Sequence, residues 1–320
     1  MDTNYQVTVA VLTYHPKQEK LFATLRSILL QKDIRFQIVI ADDGSPDPLA
    51  KETETFFAKA GFTDYVLVHN LENQGTVCNV ISAVQRSAAP YIKLISPGDM
   101  LGGETMLAQW VQEASRRQAG LSFCDSVYYY LEDGKPCPTS GIAHPQNVRC
   151  YLRQDFEKAR YNYLVLHDLF LGASILCKRV LLLAYLNEIR GKAIYAEDHA
   201  YRIMAYDRVP VYYFPKAAVI YEFGTGISTN GNTVWLEKLY KDARACTKII
   251  MERPIEPGDK TAITYRYLEL EAKSDLLSKV RKFLRVRGLL MGKLKPKWMY
   301  RKTKKELPTD FLQKVFGEYM

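Results

Sequence analysis

Five short stretches of this 320-residue chain hold residues able to do chemistry. Asp42 and Asp43 stand side by side in IADDGSPD, and adjacent carboxylates repel unless water, N–H donors or a cation receive them. The same residues also fit an Asx turn that caps the next helix. Thr13-Tyr14 closes VLTYHP, where Tyr14 is either a stacking face for a flat base or a partly buried tyrosine. Asn73-Gln74-Gly75, in HNLENQGTVCN, forms an Asn/Gly-rich turn where backbone can approach a ligand closely. Asp99 ends ISPGD, as a turn residue or as an oxygen ligand for a metal. Glu197-Asp198 precedes an amphipathic run, as acids that cap a helix and favour its dipole or as a proton acceptor.

These residues depend on the elements that carry them. YQVTVAVLTY (5–14) is rich in β-branched residues and predicts a buried strand, and residues 18–31 place Leu21, Leu25, Ile28 and Leu29 on one helical face. A strand over 36–45, a helix over 47–61 with a Gly stop, a strand over 65–70, a helix over 76–88 and a strand over 91–96 follow. Such alternation implies right-handed βαβ units and a mostly parallel sheet. Ligands of such sheets sit at the carboxyl ends of the strands, so Thr13-Tyr14, Asp42-Asp43, Asn70 and Asp99 are expected on one edge. Residues 104–118 read as a further helix, 121–136 as a strand and turn, and 209–223 as another strand; 140–163 give no clear pattern. From about residue 233 the pattern becomes helical, which places a boundary near 232.

The composition, 48% hydrophobic and 25% charged, is that of a globular domain. The most apolar long segment, 164–186, is interrupted by His167, Asp168, Lys178 and Arg179. It falls short of the roughly 18 uninterrupted apolar residues of a membrane span, and is expected as buried structure. No basic head with a long apolar stretch opens the chain, so no leader peptide is expected. Six scattered cysteines without a CxxC pair suggest reduced thiols rather than a zinc or redox site, which suits a cytoplasmic protein. The net charge of +9 is uneven: residues 279–305 hold 12 of the 44 Lys and Arg and no acid, leaving 32 against 35 acidic residues elsewhere. Leu276, Val280, Phe283 and Leu290 lie near one face among the basic residues, with Trp298, Met299 and Tyr300 further on. Two readings follow: a basic amphipathic tail on an anionic membrane surface, or an apolar face packed on the catalytic domain or a sister subunit. No nucleic-acid motif accompanies the charge, so nucleic acid is not an expected partner.

Taken in order, Thr13-Tyr14-His15, Asp42-Asp43-Gly44-Ser45, Asn73-Gln74-Gly75 and Ser96-Pro97-Gly98-Asp99 resemble the nucleotide-sugar half of the family-two, inverting glycosyltransferases of GT-A fold. YAEDHAYRIMAYDRVPVYYFP (195–215) is similar to that family's Glu-Asp motif before a helix, and YEFGTGIST (221–229) to its closing loop. The resemblance covers roughly residues 5–230. It implies an α/β GT-A domain over 1–232, Rossmann-like with helices flanking the sheet, and a helical, basic C-terminal region over 233–320.

The resemblance also implies roles. Thr13, Tyr14, Asp42, Asp43, Asn73, Gly75 and Asp99 would bind the nucleotide-sugar. Tyr14 would stack on uracil, Asp42 would accept the base N3–H, Asp43 would sit by the ribose or sugar, and Gly75 would let its loop pass close to the nucleotide. Asp99 would ligate a divalent cation, Mn2+ or Mg2+, bridging the diphosphate. Asp198, with Glu197 beside it, would be the general base. The chain departs from the family at His15, where Asn is usual, and at Ser96 and Gly98, which replace two carboxylates. The implied activity is inverting transfer of a hexose, of glucose or galactose type, from a UDP-sugar to a hydroxyl of a lipid- or protein-linked glycan. Such an enzyme would act in cell-surface polysaccharide or glycoprotein synthesis, in the cytoplasm or on the inner face of the cell membrane. The thinned motif at 96–99 leaves a second reading, a catalytically degenerate domain of the same fold serving as a binding or assembly subunit.

Overall fold

The β-branched run near the N-terminus forms strand β1 (Val7–Thr13), and helix α1 (Gln18–Leu29) follows with Leu21, Leu25 and Ile28 buried. The alternation continues through β2 (Phe36–Asp42), α2 (Ala50–Ala60), β3 (Tyr65–His69), α3 (Thr76–Arg86) and β4 (Tyr91–Ile95). The computed structural model describes residues 4–224, 233–254, 263–264, 276–277, 280, 284, 296–303 and 306–317. Beyond β4 come β5 (Met100–Leu101), α4 (Met106–Arg116), β6 (Leu121–Glu132) and β7 (Lys135–Thr139). The stretch without a clear pattern holds two short helices, α5 (Arg149–Leu152) and α6 (Phe156–Leu164). The apolar segment 164–186 is partly internal: it supplies a 3-10 turn (Gly172–Ser174), β8 (Ile175–Lys178) and most of α7 (Arg179–Ile189), with Leu169 and Val180 exposed. Helix α8 (His199–Tyr206), strand β9 (Val211–Glu222), helix α9 (Thr233–Met251) and helix α10 (Thr309–Phe316) complete the elements.

The strands form one mixed sheet in the order β3-β2-β1-β4-β8-β6-β9-β5, with β7 paired to β6. The β1–β2, β1–β4, β2–β3 and β6–β9 pairs are parallel, and β8 runs antiparallel between β4 and β6. Successive strand residues point to opposite faces, so Val7, Val9 and Val11 join a core against α1, α2 and α4, while Ala10 joins a core against α3, α7 and α8. The parallel half brings the carboxyl ends of β1 to β4 to one edge, as a crossover sheet must.

Helix α9 lies past residue 232, yet its Cys246, Ile249 and Ile250 belong to the same core as α3, α7 and α8. The chain's last helix also returns to the body: Phe311, Leu312 and Val315 of α10 pack with Ala23, Met100, Tyr129 and Ile220. Within the basic stretch, Arg301 donates to Asp125 Oδ1 at 2.6 Å and to the Pro145 carbonyl, and Lys302 bridges Ile142. Part of the basicity expected to face a partner is therefore matched within the chain. Most of 278–295 lies outside the described residues; Leu276, Val280, Leu284 and Trp298 are described and exposed. No helix among the described residues is long and apolar enough to cross a membrane. All six cysteines are free, four of them buried.

Candidate active site

Parallel register places Thr13 beside Asp42 and Asp42 beside His69 at the carboxyl ends of β1, β2 and β3. The Asp42 carboxylate is saturated. Its Oδ1 accepts from the Ser45 backbone N–H at 2.7 Å and from His69 Nδ1 at 3.1 Å, and its Oδ2 accepts from Thr13 Oγ1 at 2.9 Å and Ser45 Oγ at 2.7 Å. A carboxylate offers about four acceptor sites, so Asp42 has none left for a base N–H. In this arrangement Asp42 is held by protein donors, with His69 next to it at the edge. An ionised carboxylate only accepts, so Nδ1 is the donor side of His69, and a neutral ring then offers Nε2 as an acceptor, on a side chain that is 46% exposed.

Asp43 is engaged in a similar way by the third loop. Its Oδ1 accepts from Asn70 Nδ2 and the Gln74 N–H, and its Oδ2 from the Gly75 N–H at 2.9 Å. Asn73 Oδ1 also accepts from the Gly75 N–H, at 3.1 Å. Gly75, at φ +86°, does allow a close approach, but what comes close is protein: an added Cβ would lie 2.3 Å from Ile194 Cγ2 and 2.6 Å from the Ile194 carbonyl oxygen. The Val77 N–H donates to that same carbonyl at 2.9 Å. Tyr14 stands at the open edge, 52% exposed, with its ring edge-on to His15.

The Gly75–Ile194 contact ties the nucleotide-side loop to the segment that carries the acidic pair. The segment is fixed from its other side by Asp242 of α9, a residue only 2% exposed. Asp242 Oδ2 accepts from the backbone N–H groups of Ile194, Tyr195 and Ala196 at 3.0, 2.6 and 3.0 Å. Two residues after Ala196, Asp198 stands at the N-cap of α8, yet its side chain makes no capping hydrogen bond. Its carboxylate lies instead over the 3-10 turn, where both oxygens are 2.8 Å from the position a Cβ on Gly172 would take. Asp198 is reached by solvent but sits deep among protein atoms, as on the floor of a cleft. That crowding raises its carboxyl above the ordinary range. Glu197 is raised as well, by burial first and then by the charge of Asp198.

The Ser96–Asp99 turn closes with the Asp99 N–H donating to the Ser96 carbonyl at 3.0 Å, and its Pro97-Gly98 centre, with Gly98 at φ +102°, has the type II signature. Thr24 of α1 pins the turn: its Oγ1 donates to the Asp99 carbonyl at 2.7 Å and accepts from the Gly98 N–H. Asp99 is turned inward, its Oδ1 accepting from the Glu222 N–H at 3.0 Å. Burial pushes its carboxyl up to about 7, and the same cause brings the neighbouring buried Lys93 down to about 8. Glu222, at the end of β9, places Oε1 2.5 Å from Lys20 Nζ, while Oε2 is buried with no partner.

Among the described residues no three His, Cys, Asp or Glu side chains gather in one place. A Mg2+ or Mn2+ bound with a diphosphate needs only one or two carboxylates, because phosphate oxygens and water complete its shell. Asp99 and Glu222 adjoin at the strand ends, and one carboxylate oxygen there is orphaned. These residues fit such an ion.

His69, Gly172, Glu222 and Asp242 were not visible as site residues in the sequence. His69 follows an unremarkable strand pattern, and Asp242 sits mid-helix, where a lone acid reads as a solvated surface residue. Glu222 did carry a signal. It is an acid at the end of an apolar strand, just where the closing loop begins.

A sequence profile described as glycosyl transferase family 2 matches residues 8–168, half of the chain. No curated protein matches the sequence. Among solved structures, the chain is similar in fold to S. aureus TarS at 12% identity and TM-score 0.53, over 92% of this chain and 50% of that one. It thus spans about half the length of that protein. TarS 1-349 in complex with UDP-GlcNAc gives 15% identity and TM-score 0.55, over 89% of this chain and 81% of the other. The mannosyltransferase PcManGT from Pyrobaculum calidifontis, in complex with GDP-Man and Mn2+, gives 15% identity and TM-score 0.57, over 98% and 86%. At such identities the likeness is one of fold.

Proposed function

The chain belongs to glycosyl transferase family 2, and from that premise we propose that it is an inverting enzyme moving a hexose, of glucose or galactose type, from a UDP-sugar to a hydroxyl of a glycan acceptor. One observation carries the reading: the Asp198 carboxylate is solvent-reached, free of capping bonds and raised above its ordinary pKa. A carboxylate that only capped α8 would be bonded to the helix N–H groups. A raised pKa brings a base closer to the operating pH, where it takes protons best.

In this scheme Tyr14 stacks on the uracil and His69, oriented by Asp42, accepts the base N3–H through Nε2. Thr13 acts by fixing Asp42. Asp43 and Asn73 hold the third loop around Gly75, which in turn holds the acidic pair in place. Asp99 and its neighbours face the diphosphate. A divalent cation bound there would neutralise the charge that grows on the leaving UDP. As the sugar C1–O bond to UDP breaks, the acceptor oxygen bonds to C1 from the opposite face and its proton passes to Asp198. One displacement inverts the centre, so a UDP-α-sugar yields a β-linkage. Glu197, raised further by the charge of its neighbour, keeps its proton longer and leaves Asp198 as the free base.

Two neighbours of this fold were solved with different nucleotide-sugars, UDP-GlcNAc and GDP-Man, which supports a nucleotide-sugar donor and makes the base the point to test. The acceptor is a lipid- or protein-linked glycan of the cell surface. The exposed Leu276, Val280, Leu284 and Trp298, next to the basic stretch 279–305, support a position on an anionic membrane face. The deciding experiment is nucleotide release from a panel of UDP- and GDP-sugars with Mn2+ and simple glycan acceptors. Release from UDP-hexoses is expected. Folded protein that binds UDP yet turns over no donor would instead favour the binding-subunit reading.

A further inference from the structure

The reading above leaves one charged group unexplained. Glu222 is 5% exposed, and its Oε2 has no hydrogen-bond partner. A buried carboxylate oxygen without a donor is costly, and a bound ion is one of the partners that offsets such a cost. The oxygen points at the Ser96–Asp99 turn: a Cβ on Gly98 would lie 2.1 Å from it. The side chain missing at residue 98 is thus the space that the Glu222 carboxylate fills. The Glu222 N–H meanwhile holds Asp99 Oδ1 at 3.0 Å, so the two carboxylates are fixed to each other by backbone.

We infer that Glu222 is a ligand for a divalent cation, reaching across from the end of β9 to act with Asp99 where the turn itself offers only one acid. The inference rests on the proposed diphosphate site and gives a role to a residue that stands in the closing-loop segment without one, beyond the family match, which ends at residue 168. Three features favour a cation over a mere ion pair. Lys20 occupies Oε1 alone and leaves Oε2 open. The neighbouring Lys93 is turned away, its Nζ donating to the carbonyls of Leu94 and Ala173. Tyr129, also against this cluster, spends its hydroxyl proton on the Gly98 carbonyl. Among the described residues, the only donor that reaches either carboxylate side chain besides Lys20 is the Glu222 N–H. Hard oxygen ligands in this number, completed by phosphate and water, suit Mg2+ or Mn2+.

Equilibrium dialysis with Mn2+ and inorganic pyrophosphate tests this without relying on turnover or on any nucleobase. The intact chain is expected to retain Mn2+ in a pyrophosphate-dependent manner, and Glu222→Gln to weaken that retention about tenfold or more with the unfolding temperature unchanged. Lys20→Gln breaks the same ion pair but keeps the carboxylate, so it should retain Mn2+ at least as well as the intact chain. Equal retention by Glu222→Gln, no retention by the intact chain, or equal losses in both variants would each overturn the assignment. Uridine binding, measured separately, reports on the base site: its absence would sink the UDP reading and leave the cation result standing.

Discussion

Asp42 and Asp198 are the same residue type at the same edge of the sheet, but their surroundings are opposite. Four donors from Thr13, Ser45 and His69 converge on Asp42, whereas the Asp198 side chain caps nothing and rests over a glycine. Asp43 belongs with the first, bound to the third loop, and Glu197 with the second. The nucleotide side of the cleft therefore uses its acids as internal fasteners. The segment ahead of α8 leaves the Asp198 carboxylate reached by solvent and without a capping bond. Adjacent carboxylates in a sequence thus say little about reactivity until the supply of nearby N–H and O–H donors is known.

The sharpest way to break the contrast is Asp198→Asn. Transfer should fall by about 10³-fold while UDP affinity, read by calorimetry, stays within about twofold; retained single-turnover transfer would remove Asp198 as the base. Asp42→Ala should show the reverse pattern. Stranding the Ser45, Thr13 and His69 donors is expected to lower unfolding free energy in urea by about 3 kcal/mol, so an unchanged urea midpoint would mean that Asp42 fastens nothing. Gly172→Ala is subtler. The backbone there is not in the left-handed region, so the new methyl should push the Asp198 carboxylate rather than the fold. A drop of about tenfold in kcat with an unchanged melting temperature is expected, and a stability loss without a rate loss would contradict it. The smallest effect is on pH. Because the pair's carboxyls are raised, kcat/KM should climb with pH through an acid limb lying above the ordinary carboxylate value of about 4, then level off once Asp198 is ionised. A limb at the ordinary value would place the base elsewhere.

The strand-helix alternation and the edge that gathers Thr13, Asp42 and Asp99 were legible in the sequence, because burial period and crossover handedness leave few arrangements. The acidic pair was legible as a motif. What was not legible depends on contacts between distant segments. Gly75 reads as room for a ligand, and the structure gives that room to Ile194. The partners that Asp42 finds in Thr13, Ser45 and His69 come from three different segments and leave no mark in the local sequence. Asp242 and Glu222 come from α9 and the end of β9, far along the chain from the loops they serve, and no local period marks them. Helix α9 lies past the boundary expected near 232, and its Ile249 and Ile250 sit in the main core.

The contact between Gly75 and Ile194 has a consequence for how such a protein can change. Any side chain at 75 would displace the segment that sets the acidic pair, so the donor loop and the catalytic segment cannot be exchanged one at a time. In this chain the turn at residue 75 and the segment ahead of the acidic pair are constrained together.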